Sequence, residues 1–262
     1  MIQTTVGRRR SDLATRAMAG AAMIAVALAA LWLGGVAFWL LVSAAGLLMV
    51  AEWCGLTKPA APRPILPIVA LGIALFYASP SMAMPLILQG QILGVMAAVV
   101  ALLRRSLRTG GGLLYAGLPA LGLIFLRDQP HGVALTLWTL AIVWATDIGA
   151  YFAGRAIGGP KLAPRLSPNK TWAGLGGGVL ASLLVSLAVA IPAGLPLRLA
   201  LLAPLLAVLA QMGDLFESWL KRRAGVKDSG RLLPGHGGAM DRLDGVVPVA
   251  VVVAALVLGG WA

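Results

Sequence analysis

HGVALTLWTLAIVWATDIGAYFA, residues 131–153, decides the fold. It is apolar over the length of a spanning helix, about 17–25 residues. A helix is the default there, because every backbone polar group in lipid must find its partner within the protein. The stretch also carries a carboxylate, Asp147. A charge inside the membrane is expensive and marks a functional site by default.

Working outward, runs of the same kind recur along the chain. Nine candidate spans cover 17–34, 36–54, 65–78, 82–103, 112–126, 131–153, 174–192, 197–217 and 245–261, the third and fifth being the shortest. The alternating pattern of barrel strands is not visible, and neither is an internal repeat. Composition agrees: 60% of the 262 residues are hydrophobic and only 11% charged, against roughly 25% charged in soluble proteins. Mean hydropathy is +0.91. A soluble globule is excluded, as is disorder, which requires few apolar residues. One cysteine, Cys54, excludes an internal disulfide framework and a multi-cysteine zinc site. The expected fold is all-α: a polytopic integral membrane bundle of about nine transmembrane helices.

The net charge is +12 and the isoelectric point near 11.3. In a soluble domain this would suggest nucleic acid; here orientation explains it. With the N-terminus inside, all but Arg127 and Arg198 of the 21 lysines and arginines fall in inside loops. That asymmetry supports both the spans and an N-in, C-out topology, with no nucleic-acid partner. The basic start followed by an apolar run also fits a cleavable leader, but the many spans that follow favour its retention.

The acids divide the chain. Before residue 140 stand Asp12, Glu52 and Asp128, all in loops or at span ends. Residues 1–130 therefore read as scaffold and lipid-facing helices. Residues 131–262 hold Asp147, Asp214, Glu217, Asp228, Asp241 and Asp244 and read as the catalytic region, with two inside loops, 154–173 and 218–244.

The first loop, GRAIGGPKLAPRLSPNKTWA (154–173), is basic and rich in glycine and proline, and more glycines follow at 174 and 176–178. Pro168 pushes Ser167 toward an extended conformation. Glycine-rich turns before a helix favour anions, so Ser167, Lys170 and Thr171 are candidates for phosphate binding. Taken alone, the loop reads at least as well as a basic loop that obeys the charge rule, with glycines for helix packing.

The second region is DLFESWLKRRAGVKDSGRLLPGHGGAMDRLD, residues 214–244. Asp214, Glu217, Ser218 and Lys221 share one helical face by their i, i+3, i+4, i+7 spacing. Asp241 and Asp244 share another, although Asp244 could simply cap the last helix. Hard carboxylate oxygens beside bases suit Mg²⁺ bound together with substrate phosphates, and arginine can grip phosphate bidentately. Lys221, Arg222 and Arg223 also fit a juxtamembrane anchor for anionic lipid. His236 could only order its loop; two histidines in the chain argue against a histidine-built metal site.

At these residues the sequence resembles the phosphatidate cytidylyltransferase family, the CDP-diacylglycerol synthases. Their signature has the form S-x-apolar-K-R, four residues, K-D, then P-x-H-G-G, then D-R-x-D. Here it is met by Ser218, Lys221, Arg222, Lys227, Asp228, Pro234, His236, Gly237, Gly238, Asp241, Arg242 and Asp244. Upstream, Asp147, Ala150, Tyr151 and Gly154 match D-x-x-A-Y-x-x-G, Ser167, Pro168, Lys170 and Thr171 match S-P-x-K-T, and Gly213 with Asp214 matches a G-D pair. The resemblance covers roughly residues 140–245. Ala173 departs from the Glu or Gln of many relatives, and Ala239 from a bulkier apolar residue.

The resemblance implies that CTP and phosphatidate give CDP-diacylglycerol and pyrophosphate. It implies Mg²⁺, one or two ions, on Asp214, Asp241 and Asp244, with Glu217 a further candidate. Lys221 and Lys227 would act on the reacting phosphates, and Asp228 and Asp147 would orient these bases or join the metal. Ser167, Lys170, Thr171, Ser218, Arg222, His236 and Arg242 would bind substrate phosphate. A monovalent cation beside the magnesium and a homodimer are compatible with the sequence. Site loops on the inside suit a bacterial plasma membrane, with the active site facing the cytoplasm. Two other classes remain open: a CTP-dependent lipid-alcohol kinase, which would release CDP, and an ion-coupled transporter.

Overall fold

The computed structural model describes residues 20–57, 64–230 and 237–262. Its helices are α1 (Gly20–Leu33), α2 (Gly35–Thr57), α3 (Ile65–Tyr77), α4 (Leu86–Leu103), α5 (Leu107–Arg127) and α6 (Gly132–Ile157). A hairpin of β1 (Lys161–Ala163) and β2 (Ser167–Thr171) follows. Then come α7 (Trp172–Ala190), α8 (Leu197–Ala200), α9 (Ala203–Ala224), α10 (Met240–Leu243) and α11 (Val246–Leu258). Six stretches are long and apolar enough to cross a membrane: α2, α4, α5, α6, α7 and the run Leu197–Ala224 that joins α8 to α9. The protein is thus a helical, membrane-embedded bundle. α1, α3 and α11 are shorter apolar helices. The 13 residues of α3 or α11 reach about 20 Å, against a hydrocarbon core of about 30 Å.

Two local features differ from the sequence reading. α5 starts at Leu107 rather than near 112, because the Ser106 hydroxyl accepts the Thr109 N–H at 3.3 Å and caps an extra turn. Arg108 and Gly110–Gly112 dilute the apolar signal of that turn. The loop after α6 is also not free of strand. β1 and β2 pair antiparallel, Lys161 with Thr171 and Ala163 with Ser167, so Ser167 is extended, as Pro168 requires. Arg8, Arg9, Arg10, Arg16, Lys58, Arg63, Arg231 and His236, and the start of the first span, lie outside the described residues.

Two buried clusters hold the bundle. One gathers α2–α5 around Leu71, Leu93 and Leu113; the other gathers α6, α9 and α11 around Trp138, Ile142, Leu206 and Val249. Polar groups in the second are paired, as a membrane interior demands. Trp138 donates its indole N–H to Ser186 at 2.8 Å, and Ser186 donates to the Ala200 carbonyl at 2.8 Å. Helices α6 and α7 meet through small residues. A Cβ on Gly178 would stand 2.7 Å from the Thr146 carbonyl oxygen, so these backbones approach as closely as small-residue seams in membranes allow. Gly174, Gly177 and Gly178 therefore serve packing.

The bundle has two distinct ends. At one, the C-terminal turns of α2, α6 and α9, the hairpin and α10 come together. At the other stand the two bases that break the charge asymmetry, and both cap helix ends. Arg127 donates to the Leu31 and Trp32 carbonyls at 2.7 and 3.2 Å. Arg198 donates to the Gly260 carbonyl at 2.8 Å. Such bonds satisfy carbonyls left orphaned where α1 and α11 stop.

Candidate active site

The site is built around two lysines. Lys170, at the end of β2, forms an ion pair with Asp214 of α9 and donates to the Gln211 side-chain oxygen at 3.0 Å. Gln211 in turn reaches Asp147 of α6 at 3.4 Å. Ser218, one turn along α9, lies 3.4 Å from the Asp214 carboxylate. Asp244, between α10 and α11, faces the same group. Burial pushes its carboxyl well above the ordinary range, and the neighbouring charges of Asp214 and Asp147 add to that, against the Gly245 N–H and Lys170. Gly213 makes the approach of Asp214 to Asp244 possible. A Cβ there would collide with the Asp244 carbonyl and stand 3.0 Å from the Pro248 ring.

Lys221, two turns further along α9, bonds Glu217 at 3.0 Å and Asp241 at 2.6 Å. Glu217 is fully buried, and its Oε1 has no partner among the described residues. Asp241 takes three more bonds on its other oxygen: from the Ser229 N–H at 2.9 Å, the Ser229 hydroxyl at 3.0 Å and the Gly238 N–H at 2.8 Å. Its burial favours the neutral acid, but the bonds from Lys221, Gly238 and Ser229 outweigh it and hold the carboxyl below its usual range.

Behind this second group stands a residue assigned to the scaffold by sequence, Glu52. It is only 5% exposed. It accepts the Ala239 N–H at 2.8 Å and the Met240 N–H at 2.9 Å, and it shares the one Ser229 hydroxyl proton with Asp241, lying 2.8 Å from that oxygen. The first two are the leading amides of α10, so a carboxylate from α2 caps a helix 187 residues away. Its neighbour Trp53 fixes α2 by donating to the Arg108 carbonyl at 2.8 Å and packing on Tyr115 at 4.9 Å. The glycine pair has its reason here. Gly237 has φ +80°, and a Cβ on Gly238 would lie 2.5 Å from the Glu52 carboxylate. The pair leaves room for Glu52 and Asp241 to reach the loop.

The other expected site residues divide. Thr171 is buried and caps α7, accepting the Gly174 N–H at 3.0 Å. Ser167 opens β2, three residues before Lys170. Arg222, Lys227, Asp228 and Arg242 are exposed near the site's edge. Arg223 turns away and packs over Trp219 at 5.4 Å. His236 lies outside the described residues. Besides Glu52, sequence reasoning passed over Gln211 and Ser229. Gln211 had a signal, a polar side chain inside an apolar run.

The donor set suits a hard divalent ion. Among the described residues no three acids or histidines already stand at ligating spacing. Mg²⁺ in general is held by one or two carboxylates and completed by substrate phosphates. A cavity of about 660 Å³ at the opposite end, lined by Arg127 and His131, is remote from these acids.

Comparison with known proteins gives the family. The model of the Cytidylyltransferase family matches residues 14–258. A phosphatidate cytidylyltransferase of Brucella suis biovar 1 is 44% identical over 255 residues, covering 93% of this chain and 92% of the relative. One of Pseudomonas aeruginosa is 51% identical over 160 residues, 59% of each chain. One of Staphylococcus epidermidis is 43% identical over 123 residues, 46% of this chain and 47% of the relative. With the family matched over nearly its whole length, and both lysine centres built from the motifs that suggested it, this chain belongs to the cytidylyltransferase family.

Proposed function

We propose that the chain transfers the cytidylyl group of CTP to phosphatidate, giving CDP-diacylglycerol and pyrophosphate. The observation that carries this reading is the pairing of two lysines with half-buried acids at one end of an apolar bundle, in a chain 44% identical over 93% of its length to a phosphatidate cytidylyltransferase. A phosphatidate oxygen attacks the α-phosphorus of CTP in line, and pyrophosphate leaves. The lipid phosphate is itself the nucleophile, so no covalent enzyme intermediate is needed. The protein positions the reactants and neutralises charge.

Asp214 and Asp244 are the pair for Mg²⁺, with Glu217 as a further candidate. When bound, the ion neutralises triphosphate oxygens and stabilises the leaving pyrophosphate. Lys170 and Lys221 offer their ammonium groups to phosphate oxygens, and Arg222, Lys227 and Arg242 widen the basic rim. Asp241 holds Lys221 in place and ties down the loop. Gln211 and Asp147 orient Lys170. Nine spans with the N-terminus inside would put this end of the bundle on the cytoplasmic side of a bacterial inner membrane, where CTP is. The charge asymmetry supports that orientation, and the convergence of the C-terminal ends of α2, α6 and α9 supports their sharing one side.

The test is a product assay on purified protein with phosphatidate, Mg²⁺ and cytosine-labelled CTP. Label should move into chloroform-soluble lipid as pyrophosphate appears. Label left in water as CDP, with a supplied lipid alcohol phosphorylated, would replace this reading with a kinase. No turnover with any lipid would return a transporter to consideration.

A further inference from the structure

A narrow apolar slot of about 230 Å³ runs beneath the acid cluster, between α1, α2, α5, α6 and α11. An apolar cavity of ~150 Å³ already takes up benzene. Along α2 the slot extends from Phe38 to Met49, about 16 Å at the helical rise. Ala120 keeps the α5 wall thin, and Val247 closes the α11 side. Two lining residues are exposed. One is Trp144 of α6, at 40%, one turn before Asp147. The other is Arg242, between Asp241 and Asp244. The slot is therefore apolar along its length, cationic at its head and next to the reacting centre. That combination matches one long chain joined to one phosphate.

We propose that this slot berths an acyl chain of the phospholipid substrate, with Arg242 at the junction of chain and headgroup. The inference rests on the reading of the site as one that binds phosphatidate. It makes the slot a determinant of chain length: the tail lies between helices while the phosphate meets Lys170, Lys221 and the metal pair. The small side chains on the α2 and α5 walls are then a width setting, and substituting them changes which lipids fit.

The test uses the full-length protein and phosphatidate with a diazirine in one tail. Illumination should label peptides of α2 between 38 and 49 and of α5 between 116 and 123, and unlabelled long-chain phosphatidate should compete. Ala45, half-buried on the slot wall, supplies the second measurement. Ala45→Phe should raise KM for a long-chain phosphatidate roughly tenfold, the scale on which an apolar pocket discriminates. KM for CTP, and kcat with a dihexanoyl phosphatidate, should stay near the parent values. Labelling confined to other helices, or equal effects on long and short chains, would overturn the slot. The unaltered chain separates the two readings. Slot labelling without cytidylyl transfer would sink the proposed activity but keep the berth; transfer without slot labelling would do the reverse.

Discussion

The two lysine centres use the same residue types and are organised in opposite ways. Around Lys170, Asp147, Asp214 and Asp244 crowd together with few hydrogen-bond donors between them. Their charge is under-compensated, a state that a divalent ion and a triphosphate relieve. Around Lys221, Asp241 is tied by one ammonium, two amides and a hydroxyl, and Glu52 ties the same loop from the other side. The charge of Asp241 is locked into structure. The difference teaches that an acid's place in a signature does not reveal its job; the donors around it do.

The comparison can be broken by substitution. Asp214→Asn should cost the most, a fall in kcat of at least about 10²–10³, the scale for losing one charge-stabilising group, with membrane insertion unchanged. Turnover near the parent rate would remove Asp214 from the metal pair. Asp241→Asn should also abolish most activity, but in addition it should speed amide exchange at Ser229 and Gly238. Lost activity with unchanged exchange would make Asp241 a ligand rather than an organiser.

Glu52→Gln should give a smaller loss, about tenfold in kcat with KM for CTP little changed, together with faster exchange at the Ala239 and Met240 amides; an N-cap contributes ~1 kcal/mol. Unaltered exchange there would mean that α10 does not depend on α2. Gly178→Leu, away from both centres, should lower Tm, because overpacking costs typically 1–3 kcal/mol. An unchanged Tm would show that the α6–α7 seam can part.

Much of this was legible in the sequence. Spans are written in local hydropathy, and the signature places Asp214, Lys221, Asp241 and Asp244 on helical faces that do meet. Lys170 was chosen because its loop is basic and proline-fixed. Thr171 was chosen as a phosphate ligand from the same motif, and its hydroxyl oxygen also caps α7, a role that only the chain's path beyond it decides. The hairpin escaped because strands of three and five residues carry no period long enough to read. Glu52 escaped for a deeper reason. Its partners lie 177 to 188 residues away, and no local pattern near residue 52 announces them. At the end of an apolar run it looks like any interfacial acid.

The bond from Glu52 to Ala239 and Met240 also bears on the order in which the protein is made. α2 leaves the ribosome long before α10, so the acceptor waits in the membrane for its donors. A product initiated downstream of α2 would carry every motif of the signature and still lack that acceptor. Gene fragments that keep the whole C-terminal signature would then encode a protein recognisable by sequence and impaired in chemistry.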